Sequence, residues 1–307
     1  MYKLVPDARV LAFMAGLLEG DGNLYANSNR HYVRIYSPDL SEVLWLTRVS
    51  KQVLGKYPII GIDKPRNNKK LYLFRLEYHD QGTYRFFREL DLTTLSRLEV
   101  MNFISGIIYA EGHLKIRRTK SGIRLSVLEI ELKKKLSVTK LLKAFDLINV
   151  EIKYYERKTR GHKVYYIDDR DTIEKLMDIV HLNWKWYKFL ALKNETRFCE
   201  YAVIKLIDHV ILNQVIGKFF LGHSLSVEEK HVLKEFIGAN YVYKKIKTRA
   251  KLLDSSPLNT VDDFPRLINK LRVDYTKYLR YLQNNELKLI SNMCFNVFKE
   301  LCCKNAD

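Results

Sequence analysis

The sequence predicts an α+β fold: two pseudo-symmetric αββαββα units, over residues 1–98 and 99–198, whose antiparallel sheets form a saddle, followed by a helical extension over 199–307. Three observations predict it. A short acidic motif occurs twice, ending at Asp21 and again at Glu111. Downstream of each copy the chain passes through the same order of strand-like and helical patterns, and that order is independent of the motif itself. The charge is strongly positive, with 53 Lys and Arg against 35 Asp and Glu, a formal +18, so a polyanion is the expected partner.

The first unit opens on "VLAFMAGLLEGDG", an apolar run with helical spacing, and Gly20 and Gly22 are expected to stop that helix. Strands are predicted near 22–27 and 31–37, a helix over "LSEVLWLTRVSKQVLG" near 40–54, strands near 57–63 and 71–78, and a helix near 83–90. The second unit opens on "FISGIIYAEG". Strands near 113–118 and 123–132, a helix over "LSVTKLLKAFDLI" near 136–148, strands near 151–158 and 163–168, and a helix near 170–180 come after it. Aligning the two motifs matches Phe13 with Phe103, Gly16 with Gly106, Gly20 with Ala110, Asp21 with Glu111, Gly22 with Gly112 and Leu24 with Leu114.

Alternation along the strands assigns their faces. His113, Lys115 and Arg117 alternate with Leu114 and Ile116, Tyr32, Arg34 and Tyr36 with Val33 and Ile35, and Glu151, Lys153, Tyr155 and Arg157 share one parity. One face packs under helices and the other is basic with interleaved tyrosines. A solvated basic face is one reading; two related basic sheets favour a shared groove for duplex DNA, because antiparallel ribbons fit the major groove. The expected contacts are Asn27, Arg30, Arg34, Tyr36, Lys64, Arg66, Lys69, Lys70 and Arg75 in the first unit. In the second they are Lys115, Arg117, Arg118, Lys120, Arg124, Lys133, Lys153, Arg157, Arg160 and Lys163.

An acid at the end of a helix meets the partial negative end of the dipole, which costs up to about 1 kcal/mol without a cation. A single acidic Gly-rich turn is most often an ordinary helix-to-strand turn. Small residues four apart, Gly16 and Gly20 in one run and Gly106 and Ala110 in the other, allow two helix backbones to approach closely. Packing of each helix on its own sheet is the other reading. If the two runs pack on each other, Asp21 and Glu111 meet, and two such carboxylates call for a divalent cation. Oxygen donors, with the carbonyls of Gly20 and Ala110, suit Mg²⁺, two or more ions, with Mn²⁺ as a substitute. Under a basic saddle this chemistry is phosphodiester hydrolysis, and "NWKWYKF" offers Lys185 or Lys188 as a cation for the developing charge.

"MAGLLEGDG" (14–22) and "ISGIIYAEG" (104–112) resemble the two motifs of a double-motif, monomeric LAGLIDADG homing endonuclease. The resemblance covers roughly residues 7–198. It implies that the motif helices form the central interface, that Asp21 and Glu111 bind catalytic metal, and that Glu19 and Tyr109 fall at the preceding motif position. It also implies cleavage of both strands of a long, asymmetric DNA site, leaving 3′ overhangs. Polar positions that organise water fall near Asp39 and Lys133, an acid and a base, so the two centres are expected to be unequal. The alternatives within and beyond the family are a group I intron maturase, whose partner is its own intron RNA, and a non-cleaving nucleic-acid-binding protein.

The chain starts at Met1 and ends "KNAD" without a splicing His-Asn pair, from which a free-standing, intron-encoded protein is expected. No apolar stretch reaches the 18 to 20 residues of a membrane span and no signal-peptide pattern opens the chain, so an intracellular protein in the compartment of its host genome is expected, with no membrane partner. Cys199, Cys294, Cys302 and Cys303 lack metal or disulfide spacing. In the extension, "SLSVEEKHVLKEFIG" reads as an amphipathic helix capped by Ser226, with further helices near 261–283 and 285–303 and tyrosines at Tyr275, Tyr278 and Tyr281. The extension is either a cap on apolar surface of the second unit or an added DNA-binding module using Lys244, Lys245, Lys247 and Arg249.

Overall fold

The computed structural model describes residues 5–27, 30–64, 71–119, 122–157, 162–177, 207–237 and 248–257. Helix α1 (Val5–Asp21) leads directly into β1 (Gly22–Asn27) and β2 (Arg30–Ser37), followed by α2 (Leu40–Val53), β3 (Ile59–Asp63), β4 (Leu73–Tyr78) and α3 (Gln81–Glu89). A 3₁₀ turn (Leu92–Thr94) precedes α4 (Arg97–Glu111), and then come β5 (Gly112–Thr119), β6 (Gly122–Ile130), α5 (Lys135–Leu147), β7 (Lys153–Arg157), β8 (His162–Ile167) and α6 (Arg170–Met177). The order αββαββα therefore occurs twice. Two four-stranded antiparallel sheets result, ordered β1-β2-β4-β3 and β5-β6-β8-β7, each wound the same way. The extension continues through a π-helical turn (Ile207–Leu212) into α7 (Asn213–Phe220), α8 (Val227–Ile237) and α9 (Arg249–Asp254).

The chain gathers into two compact units, one of Met1–Ile35, Gln52–Leu54 and Tyr78–Lys193, the other of Tyr36–Lys51, Gly55–Glu77 and Asn194–Asp307. In the first unit α1 lies along α4, and Met14, Leu17, Ile104, Ile107 and Ile108 are almost fully buried. Helix α4 starts with a capping box in which Ser96 accepts from the Glu99 amide and the Glu99 carboxylate accepts from the Ser96 amide. On the second sheet, β5 and β6 run in register from Gly112↔Ile130 to Thr119↔Gly122, with a bulge at Lys115/Ile116. Leu128, Ile130, Tyr165 and Ile167 point to its covered face, with Ile173 and Leu176 of α6 and Leu141 and Phe145 of α5 buried in the same unit.

In the second unit, α2 is buried over most of its surface: Leu40, Glu42, Val43, Leu44, Leu46, Thr47, Val49 and Ser50 are all buried. A helix covered on one side by a sheet buries one stripe, as α5 does with Ser137, Leu141, Ala144 and Phe145. The further burial of α2 comes with the extension. Asp208, 1% exposed, accepts from the backbone amides of Leu40 (2.7 Å) and Ser41 (3.1 Å) and from the Ser41 hydroxyl, closing the open N–H groups of the first turn of α2. Asn213 donates to Pro38 O (2.7 Å) and Tyr72 O (2.8 Å) and accepts from Tyr72 N (2.9 Å), an arrangement that uses its whole amide. Arg48 donates to Ser256 O (2.7 Å), and Arg249 to Ile60 O (3.0 Å). A cap on the second repeat is one of the two roles the sequence suggests for the extension. Its described parts instead bind α2, β3 and the start of β4, which belong to the first repeat.

Helix α8 is the amphipathic helix the sequence predicts, with Ser226 and Glu229 forming its capping pair (2.9 and 3.2 Å) and Val232, Leu233, Phe236 and Ile237 buried. The helices expected near 261–283 and 285–303, with Tyr275, Tyr278 and Tyr281, lie outside the described residues, as do Lys244, Lys245 and Lys247.

Candidate metal and nucleic-acid site

The site is built on the seam between α1 and α4. A Cβ placed on Gly16 would lie 1.9 Å from Phe103 O, and one on Gly106 would lie 2.1 Å from Phe13 O. Backbone thus meets backbone, in a reciprocal pair that arises from the repeat. One turn further along, a Cβ on Gly20 would lie 2.4 Å from the Ala110 Cβ and 2.8 Å from Glu111 Cγ. Gly20 does not stop α1, although its sequence context suggests a stop. The helix runs on to Asp21, and Gly20 is small because Ala110 and Glu111 pass over it. The stop falls one residue after each acid: a Cβ on Gly22 would lie 2.7 Å from Leu18 O, and one on Gly112 2.5 Å from Ile108 O. Side chains there would block the tight entry into β1 and β5.

The seam therefore delivers two helix C-termini side by side. Asp21 is exposed and Glu111 half-buried, while the glycine after each is buried. Carbonyl ends and carboxylates of two helices concentrate negative charge, and the surroundings partly answer it. Lys134, the residue before α5, donates from Nζ to Gly22 O at 2.8 Å, immediately beyond Asp21. Glu19, two residues before Asp21, accepts from Lys140 Nζ (2.5 Å) and Ser137 Oγ (2.6 Å). In the second motif the matching position is Tyr109, buried and edge-on to Phe13 with ring centroids 5.6 Å apart. The donors offered by Asp21, Glu111 and the helix-end carbonyls are all oxygen, which suits a hard divalent cation. Among the described residues no group of three or more His, Cys, Asp or Glu side chains is gathered for a metal, so a bound ion would complete its shell from backbone, water or substrate oxygens.

The sequence points to Lys133 at the polar position ahead of α5. Lys133 is exposed, and the neighbouring Lys134 makes the contact with the motif. The corresponding residue ahead of α2 is Asp39, buried, its amide bonded to Ser37 Oγ at 3.0 Å. Lys134, Ser137 and Lys140 carry no motif signal. They could be found from sequence only by asking which residues of the helix after the second hairpin fall near the first motif. Lys185 lies outside the described residues.

The outer sheet faces carry the expected basic and aromatic side chains. On the first hairpin Tyr25 stacks on Tyr32 (5.9 Å), Arg34 lies 4.9 Å over the Tyr32 ring, and Arg30 Nη1 donates to the Tyr32 hydroxyl at 3.4 Å. Asn27 is exposed at the end of β1, Tyr36 is half-buried on β2 and Lys64 is exposed after β3. Arg75 lies across Gly61, whose missing side chain leaves room for the guanidinium, and pairs with Asp63 (2.8 Å) and Glu77 (2.6 Å). On the second sheet Lys115 pairs with Glu129 (2.5 Å), Lys153 with Asp168 (2.9 Å) and Arg157 with Glu131 (2.9 Å). The hydrogen bond from Lys115 to Glu129 holds the ammonium above its ordinary pKa, and the bond to Asp168 does the same for Lys153. Lys163 pairs across the ladder with Glu156, so it shares a face with Tyr154, 4.1 Å beneath its ammonium, and not with Lys153 and Arg157. Arg117, Arg118 and Arg124 belong to the β5–β6 hairpin, while Arg66, Lys69, Lys70, Lys120 and Arg160 lie outside the described residues.

Two acidic motif helices abutting through glycine, each opening an αββαββα repeat, decide the architecture. This is the architecture that the resemblance to LAGLIDADG motifs implies. No family model matches the chain, and no curated protein matches it. Among solved structures, a mesophilic variant of the homing endonuclease I-DmoI is similar at 21% identity and a TM-score of 0.42, over 57% of this chain and 97% of that one. The N-terminal LAGLIDADG domain of DUF199/WhiA is similar at 17% identity and 0.43, over 59% and 85%. The homing endonuclease I-WcaI, bound to its DNA recognition sequence, is similar at 13% identity and 0.44, over 61% and 88%.

Proposed function

We propose that this chain is a site-specific double-stranded DNA endonuclease of the LAGLIDADG type. The observation that carries the reading is the α1–α4 seam, where Glu111 passes over Gly20, the residue before Asp21. That geometry explains why two acids recur at one motif position, where an ordinary turn would need neither. Asp21 and Glu111, with the carbonyls of Gly20 and Ala110, would hold Mg²⁺, or Mn²⁺ in its place. Such an ion, when bound, would lower the pKa of a water and neutralise charge on the departing oxygen. Lys134, whose ammonium donates to the carbonyl one residue beyond Asp21, would stabilise the developing charge, beside or in place of the Lys185 that the sequence offers. Asn23, Tyr25, Tyr32 and Arg34 on one sheet, and Lys115, Lys153, Tyr155 and Arg157 on the other, would face the duplex.

In this reading residues 1–98 and 99–198 each supply one half-site and 199–307 supports the first of them. The protein acts as a monomer with internal pseudo-symmetry, at the genome of its host, and intron encoding is the natural source of such a gene. The test is Mg²⁺-dependent cleavage of a duplex library with randomised sites. Recovery of one long asymmetric site with short 3′ overhangs is the expected result. Tight binding without strand scission, or preference for folded RNA over every duplex, would replace this reading with the non-cleaving or maturase alternative.

A further inference from the structure

We infer that Glu19 is a positioning residue of this centre, latching α5 against the end of α1 so that Lys134 stands beside Asp21; the inference rests on the nuclease reading above. Glu19 and Lys140 are 12% and 19% exposed at the side chain, and Ser137 is 1% exposed, so the latch is largely shielded from water. Burying an ion pair of this kind brings little net stability, because desolvation offsets most of the Coulomb gain; its best-attested use is to fix register. The second motif supplies an internal comparison. Tyr109 at the matching position fills its space by packing on Phe13, so the fold accommodates this place without a charge.

The latch also has the right reach. Lys134, Ser137 and Lys140 stand at successive turns of α5 and of the residue that caps it. They contact Gly22 O, the Glu19 carboxylate with the Glu19 carbonyl (3.2 Å), and the Glu19 carboxylate again. Asp21 lies between the two gripped residues. Loosening Glu19 frees α5 to slide along α1, and Lys134 moves with it. Lys134 is the residue that precedes the first turn of α5, so its ammonium goes where the helix goes.

The experiment is a double-variant cycle in the full chain, using a duplex selected by the wild-type protein and single-turnover cleavage in Mg²⁺. Glu19→Gln is expected to slow cleavage by about tenfold or more and to change duplex affinity by less than about threefold. Lys134→Met alone should slow cleavage by roughly a hundredfold. The combined variant should be no slower than Lys134→Met, because residues acting through one another are not additive. Ser137→Ala gives a second, milder opening of the latch, and circular dichroism confirms the fold of each variant. Multiplicative losses in the double variant, with wild-type cleavage intact, overturn the positioning role alone. Absence of metal-dependent cleavage by the wild-type protein overturns the nuclease reading and this inference with it.

Discussion

Gly16 and Gly106 leave no room for one methyl group, because each faces the other helix's carbonyl backbone. Gly16→Ala should therefore push the helices apart and cost about 1–3 kcal/mol, the usual range for overpacking a dense interior, read as a shift in the urea midpoint. Gly55→Ala is the contrasting control: open space surrounds it, and its left-handed φ of 68° is the only obstacle. At the acids the expectation is chemical. Asp21→Asn and Glu111→Gln should each abolish double-strand cleavage while holding duplex affinity within about tenfold, since these groups serve metal and water more than phosphate. A gel separating nicked, linear and supercoiled plasmid measures it; wild-type linearisation by either variant sinks the assignment. The acids and their glycines are legible in the sequence because a repeated motif confines them to one geometry. Lys134, Ser137 and Lys140 are not, since their neighbours lie more than a hundred residues away and lysine and serine carry no pattern of their own. Four residues separate β6 from α5, against two between β2 and α2, so the repeat does not set which of the lysines ahead of α5 reaches the first motif.

The repeat makes the elements readable, since each strand and helix is predicted twice and alternation fixes which face of β2 or β5 is buried. The extension has no second copy, and its binding surface depends on single polar groups. Asp208 and Asn213 satisfy backbone groups of Leu40, Ser41, Pro38 and Tyr72, none of which advertises an unmet need in sequence. Asp208→Ala should cost about 1–3 kcal/mol, because it strips a buried carboxylate from several donors; the urea midpoint measures it. Truncation after residue 200 should unfold the α2, β3 and β4 region rather than merely shorten a DNA footprint. Limited proteolysis within 36–77 checks this, and a stable, protease-resistant fragment would show the extension to be dispensable. A second tether is sensitive to alkali. The hydrogen bond from Tyr57 to Asp254 (2.6 Å) raises the phenol's pKa, so its contribution is complete below the ordinary value of about 10 and is lost as pH rises through the higher folded value. Thermal melts from about pH 9 to 11.5 should show a fall in stability that Tyr57→Phe makes shallower; identical curves would mean that the tether carries no linkage.

For the whole molecule, a formal charge of +18 suggests a steep dependence of DNA affinity on salt, yet the sheets divide that charge unevenly. Arg75, Lys115, Lys153 and Arg157 are each paired with a carboxylate. A paired cation condenses onto a phosphate only by leaving or sharing its acid, so it releases less than one counterion's worth of binding energy. Its directed, preorganised donors suit base edges better than the sequence-blind backbone. Each free phosphate contact contributes about 0.9 to the slope of log K against log salt for B-form DNA. The measured slope should therefore correspond to far fewer contacts than the excess of basic residues. Glu129→Gln removes the partner of Lys115 without changing shape, and should steepen the slope by up to about 0.9 while weakening discrimination between related sites. Asp168→Asn should do the same for Lys153, whose ammonium, with its pKa raised by that acid, is charged through neutral pH in either form. Fluorescence anisotropy on one duplex from about 50 to 300 mM salt gives both slopes. Unchanged slopes in both variants would place Lys115 and Lys153 away from the phosphates and remove the second sheet's outer face from the proposed interface.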